Sequence, residues 1–333
     1  MFSEVMIGLL KRNSFVIGLG LAVVLAWLTP DWGASGGRLS SQVWTKVGII
    51  VIFLTQGFGL STGSIASGFT NWRLHLLTQF WITLGAPLLV LTALVVAGDR
   101  VAPELRTALF FLSVLPTTVS SAVALIVQAD GNVAGGVFNT VLSNLLGVVI
   151  VPVAVVTFTA TAGDRAPLDV GPALRTIVGV VLLPFIIGHL LRKPLLDFVP
   201  LVKKVAGPLN QFIICFMVYA SFSTSFRDAV WERVGAGFAL SAFIAAVLLL
   251  AVMSLVVWSS ARWLLQEAPD RVTAFYCGSQ KSLAVGVPYA AAIFTLGGSA
   301  VDPSVVLLPL LFYHPLQLLL GSALIRWRAR MFG

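Results

Sequence analysis

The stretch Arg271–Phe294, RVTAFYCGSQKSLAVGVPYAAAIF, sets a polar run, Cys277-Gly278-Ser279-Gln280-Lys281-Ser282, in the middle of an apolar span. A helix rises about 1.5 Å per residue, so Lys281 lies roughly 15 Å from the flanking Arg271, near the middle of a bilayer. An ammonium at that depth costs about 2.5–3.5 kcal/mol on insertion scales. Lysine can snorkel to a membrane surface along its stem, but Lys281 is far from both ends of its span. Gly278 and Pro288 both weaken helical geometry, which is tolerated at depth only where freed backbone groups face protein or water. The reading is a broken helix that lines a binding cavity.

The composition around this helix is that of a membrane protein. Hydrophobic residues make up 58% of the 333 and charged residues 10%, where a soluble domain carries about 25% charged. Mean hydropathy is +0.98. A soluble enzyme is excluded, and an all-α polytopic membrane protein is expected. The formal charge of +8 does not point to nucleic acid, because the basic residues are scattered among short loops. The two cysteines, Cys215 and Cys277, both fall within apolar spans, so neither a disulfide framework nor a cysteine zinc site is expected.

Ten apolar spans can be drawn: Ser14–Leu28, Val43–Leu60, Leu74–Ala97, Leu105–Val127, Val133–Phe158, Pro172–Leu191, Pro208–Ser223, Gly235–Leu264, Val272–Phe294 and Ser304–Ile325. Lys11-Arg12 before the first of them could open a signal peptide, but a repeat of five spans needs that run as a span. With the N-terminus inside, twelve of the 21 Lys and Arg fall on the inner side, among them Lys11, Arg12, Arg326, Arg328 and Arg330. Eight fall on the outer side, including Arg165, and Lys281 is left within a span. Both termini are therefore expected in the cytoplasm, with the chain in a plasma membrane, here a bacterial inner membrane.

Ten spans divide into halves, 1–159 and 160–333, and an odd number per half inverts the second relative to the first. Span four is then the counterpart of span nine. It reads Leu115-Pro116-Thr117-Thr118-Val119-Ser120-Ser121-Ala122-Val123-Ala124, again a proline and a hydroxyl cluster in an apolar run. Ser121-Ala122-Val123-Ala124 sets weakly against Ser282-Leu283-Ala284-Val285. Interrupted segments at matching positions of two halves point to a transporter binding site; chance likeness of small-residue helices is the other reading.

Span five adds Asn132, Asn139, Thr140, Ser143 and Asn144, and Gln79 and Gln56 lie in spans three and two. These amides and hydroxyls either line the site or bond packed helices together. His189 and His314, each near a proline, read as packing or hydrogen-bonding histidines, with a proton relay as the other reading. No His, Cys or carboxylate pair has metal-ligand spacing, and no phosphate loop or nucleophile motif occurs, so no cofactor and no enzyme activity are expected. Every Asp and Glu falls in a loop or at a span end, where ion-coupled transport ordinarily wants a carboxylate at the site.

The two interrupted stretches, LPTTVSSAVALIVQADGN (Leu115–Asn132) and CGSQKSLAVGVP (Cys277–Pro288), resemble the bile acid:sodium symporter superfamily. Within it they are similar to the SBF-like branch, which takes in solute carrier family 10 member 7 and fungal calcium-homeostasis regulators. Phe58 through Phe80 also fits that family's second and third spans. The resemblance implies ten helices in two inverted repeats, split into a panel domain and a core domain. The core holds spans three to five and eight to ten, and spans four and nine cross at their unwound centres. Substrate binds beside that crossing, and alternating access moves core against panel.

The family's sodium ligands, carried over, fall near Ser120 and Ser121 of span four, near Gly136 and Thr140 of span five, and on Gln79 and Gln280. The glutamate shared by both sodium sites falls on Tyr276, and the asparagine after the glutamine on Lys281. A site that loses a carboxylate and gains an ammonium changes by about two charges, which Coulomb repulsion sets against two sodium ions. The leading expectation is a secondary transporter of a small organic anion in a lipid bilayer, coupled to protons or to no ion rather than to sodium. Lys281 either takes the place of sodium or pairs with the substrate, and Ser120, Ser121, Ser279, Gln280 and Ser282 supply donors and unwound carbonyls. The alternative is a regulator of calcium homeostasis that acts through partner membrane proteins.

Overall fold

The computed structural model describes residues 14–60, 71–161, 170–299 and 301–325. Lys11, Arg12, Arg165, Arg326, Arg328, Arg330 and part of the stretch between Phe58 and Phe80 lie outside the described residues.

Among the described residues every regular element is helical. Six helical runs are long and apolar enough to cross a membrane: Trp72–Arg100, Val133–Thr161, Gly171–Arg192, Lys204–Arg227, Ala236–Leu264 and Pro303–Leu324. In chain order the elements are α1 (Ser14–Leu28), the single turn α2 (Pro30–Gly33), α3 (Ser41–Gly59), α4 (Trp72–Phe80) and α5 (Ala86–Ala97). Next come α6 (Pro103–Val114), α7 (Ser120–Gln128), α8 (Val133–Thr161), α9 (Val170–Ile177) and α10 (Leu183–Arg192). The rest are α11 (Val199–Arg227), the short α12 (Val230–Val234), α13 (Ala236–Leu264), α14 (Ala268–Ser279), α15 (Leu283–Ala290) and α16 (Pro303–Leu324).

Three joints are π turns rather than breaks: Trp81–Gly85 joins α4 to α5, Val178–Leu182 joins α9 to α10, and Ala291–Leu296 continues α15. A proline shapes the first. Ala86 N–H bonds the Trp81 carbonyl five residues back, and the next N–H in that register belongs to residue 87, a proline that has none. The carbonyl of Ile82 is thereby left for another donor.

Two joints are true breaks. Pro116 disfavours helix at the residue before it, and Leu115 is extended at φ −65°, ψ 143°, ending α6. The second break falls at Gln280 (φ −90°, ψ 148°) through Ser282 (φ −88°, ψ 113°). This corrects one expectation, because Gly278 lies inside α14 and Pro288 inside α15. Gly278 serves packing instead: a Cβ there would come within 2.9 Å of Val257 on α13.

Helix α3 packs on α10 and α11, and α1 packs on α11. The α3–α10 crossing is close because Gly57 faces the backbone of Phe185 while Gly188 faces the backbone of Leu54, small residues letting two backbones approach. Elsewhere α13 packs on α14 and α16, α6 on α5, α8 and α16, and α14 on α4 and α8. Exposed tryptophans carry guanidinium groups at the helix ends, Arg38 over Trp32 at 5.8 Å and Arg73 over Trp72 at 5.5 Å. Such amphipathic rings anchor a chain at membrane–water boundaries. The chain is an integral membrane protein.

Candidate functional site

The two breaks touch. Ser282 N–H donates to the carbonyl of Pro116 at 2.9 Å, tying the extended segment 280–282 to the extended segment 115–119. The carboxamide of Gln317 on α16 then closes on the backbone of Lys281 from both sides. Its Oε1 accepts Lys281 N–H at 2.8 Å, and its Nε2 donates to the Lys281 carbonyl at 2.9 Å. The same Nε2 donates to His314 Nδ1 at 2.9 Å. Tyr313 holds the preceding turn by donating to the Ser279 carbonyl at 2.6 Å.

Lys281 itself is 0% exposed. Its Nζ donates to three carbonyls, those of Ser113 at 2.6 Å, Leu115 at 2.9 Å and Ile82 at 3.2 Å. An ammonium has three N–H donors, and each finds one acceptor. Ser113 and Leu115 offer carbonyls at the end of α6 that no helical N–H takes, and Ile82 offers the one freed by the π turn. The partial negative charge at a helix C-terminus favours a cation there. The lysine thus pins α6, the π turn and the broken α14–α15 at one point.

Beside this point opens a cleft of about 290 Å³. Its polar lining comes from Gln56, Thr118, Ser120, Asn144, Asn210 and Ser282, and its apolar lining from Ile52, Leu60, Val141, Leu145, Phe185 and Val285. Two helices begin at it. The N-terminus of α7 presents Val119 and Ser120, and that of α15 presents Ser282, Ala284 and Val285. Neither start is closed by a side-chain cap. Helix N-termini with free N–H groups attract anions.

The expected residues divide accordingly. Ser120 and Ser282 line the cleft, and Ser121 donates to the hydroxyl of Thr118, which lines it too. Lys281 does not line it, its ammonium being wholly engaged by carbonyls. Ser279 Oγ donates to the Phe275 carbonyl and Tyr276 donates to the Gly321 carbonyl at 3.0 Å, both away from the cleft. Gln280 is buried with neither polar atom of its amide bonded among the described residues. Gln79 donates to the carbonyl and side chain of Asn139, which donates to His75, while Thr140 bonds back to its own helix at Val137. Sequence reasoning passed over Gln317 and Asn210. A lone amide inside the apolar span Ser304–Ile325 was the available signal for Gln317.

Helices broken in mid-span, meeting at their breaks beside a polar cleft, are the architecture of a membrane transporter. The chain belongs to the SBF-like CPA transporter family, whose profile matches residues 13–330. It is 35% identical over 320 residues to the uncharacterized protein PA2026 of Pseudomonas aeruginosa, an alignment covering 96% of this chain and 93% of that one. It is 33% identical to the putative symporter YfeH of Escherichia coli K12, covering 85% of this chain and 83% of YfeH. Sodium/bile acid cotransporter 7 of Danio rerio is 28% identical, over 96% of this chain and 94% of its own length. The family is one of transporters, not enzymes.

Proposed function

We propose that the protein is a secondary-active transporter of a small organic anion, working by alternating access without the two-sodium coupling of bile acid symporters. The observation that carries this is the convergence of two uncapped helix starts, α7 and α15, on one cleft that has an apolar wall and, among the described residues, no carboxylate. Such a cleft suits an anionic head and an apolar body. The Lys281 ammonium, held by three carbonyls, occupies the crossing as a resident cation and makes a coupling cation redundant there.

The packing supports two inverted five-helix repeats, 1–159 and 160–333. If α1 corresponds to α9–α10 and α3 to α11, the contact of α1 with α11 has its counterpart in that of α10 with α3. Likewise α5 on α6 answers to α13 on α14, and α6 on α16 to α14 on α8. In this scheme α1, α3, α9–α10 and α11 form the panel, and the remaining long helices form the core. Both termini lie in the cytoplasm of a bacterial inner membrane on the Lys and Arg count. Nothing in this geometry favours a calcium-homeostasis regulator.

A thermal-shift screen of small organic anions in sodium and in potassium buffers tests the proposal. A ligand raises apparent stability by mass action. At least one anion is expected to raise the melting temperature equally in both salts, and liposomes holding the protein should take it up without a sodium gradient. A shift or uptake that strictly requires sodium overturns the resident-cation reading.

A further inference from the structure

A second cleft, of about 180 Å³, is lined by Ser41 and Thr45 of α3, Ser221 and Thr224 of α11, and Thr295 and Pro303 near the start of α16. The first cleft meets the same two helices at their other ends, at Gln56 and Asn210. From Thr45 to Gln56 is roughly 16 Å along a helix, and from Asn210 to Thr224 roughly 21 Å. Between them the rings of Phe53 and Tyr289 meet with centroids 5.1 Å apart, and both side chains are buried. The two clefts are therefore two ends of one seam, plugged in the middle.

At the rim of the second cleft lies a small polar cluster. Asp302 Oδ1 accepts Ser225 Oγ–H at 2.6 Å, Ser304 Oγ–H at 2.7 Å and Ser304 N–H at 2.8 Å. Ser225 and Ser304 are 0% exposed, and their hydroxyl oxygens lie 2.7 Å apart. The bonds to Ser304 are what an N-cap of α16 requires. The bond to Ser225 is not: the cap is complete without it, and it joins α11 to α16. Thr55 to Asn210, Arg192 to Phe58, Asn132 to Asp270 and Lys281 to its carbonyls each stay within the panel or within the core. Ser225 to Asp302 crosses from one to the other.

We propose that the second cleft is the opposite mouth of the transport path and that Ser225 and Asp302 form the latch that holds it shut. Opening there breaks the Ser225–Asp302 bond and keeps the Asp302–Ser304 cap, so the core separates from the panel with α16 intact. The proposal rests on the alternating-access reading. A hydrogen bond to a carboxylate is strong enough that its loss shifts a two-state equilibrium by roughly tenfold or more.

The test uses the full chain in liposomes, with Cys215 and Cys277 replaced by alanine and a single reporter, Thr45→Cys or Gln56→Cys, labelled by a membrane-impermeant maleimide from either side. Ser225→Ala leaves the cap of α16 untouched. It is expected to speed labelling of Thr45→Cys about tenfold and to slow that of Gln56→Cys, at an unchanged melting temperature. Asp302→Asn, which still caps a helix, should do the same to a smaller extent. The pair Ser225→Cys and Ser304→Cys, oxidised, should hold Gln56→Cys fully reactive in a triple variant. Thr45→Cys labelling that is equal with and without Ser225 overturns the latch and leaves the carrier reading standing. Thr45→Cys that stays unreactive in every variant overturns both.

Discussion

The two breaks reach the same extended geometry by different routes. At Leu115–Val119 the cause is local: Pro116 denies the helix to Leu115, and the freed carbonyls are then taken by Lys281 and, at Thr117, by Asn144 Nδ2 at 3.0 Å. At Gln280–Ser282 no proline stands at the break. The chain is held open by contacts from elsewhere, the Gln317 amide on the Lys281 backbone and the Pro116 carbonyl on Ser282 N–H. The first break belongs to its own segment, and the second is imposed by the rest of the fold. A segment opened from outside can be closed again from outside, which suits a part that moves during transport.

Three substitutions probe this asymmetry. Lys281→Met should have the largest effect. It leaves three buried carbonyls without a donor and removes the cation that joins both breaks, so a stability loss of about 3 kcal/mol or more is expected in detergent unfolding, with loss of transport. Stability within about 0.5 kcal/mol of the parent would show the lysine to be a tolerated charge. Gln317→Leu, which strips the second break of its clamp but leaves the ammonium, should lose about 2 kcal/mol. Amide exchange at residues 280–282 should rise while that at 115–119 stays put. Pro116→Ala should matter least, about 1 kcal/mol or below, because Lys281 and Asn144 still hold the first break open. If Pro116→Ala costs more than Gln317→Leu, the assignment of local and imposed breaks is reversed.

Much of this was legible in the chain. The polar run 277–282 marked the crossing, Pro116 marked the other break, and burial of Lys281 followed from its depth in an apolar span. What the lysine meets was not legible. Its partners are main-chain carbonyls, and every residue carries one; only the backbone path decides which are free. The Ile82 carbonyl is freed by a π turn whose sequence, WITLG followed by Ala-Pro, reads as ordinary helix. Gly278 and Pro288 looked like breakers because both types weaken helices, yet close packing on Val257 explains the glycine. Tyr276, reached through the family's glutamate position, spends its hydroxyl on Gly321 instead. Asp302 lay at a span end, and its reach to Ser225, 77 residues away, is a tertiary fact.

The π turn at Trp81–Gly85 also bears on how such a site can change over generations. A π turn is an α-helix with one residue too many. Deleting a single residue between Ile82 and Ala86 would restore regular winding and turn everything beyond it by about 100° about the helix axis, yet Pro87 would then stand four residues after Ile82 and offer its carbonyl no N–H. The third oxygen on the ammonium therefore owes its freedom to the proline as much as to the extra residue. A relative of this chain could therefore lose the π turn and still keep a carbonyl without a helical donor at this point, so long as it kept the proline.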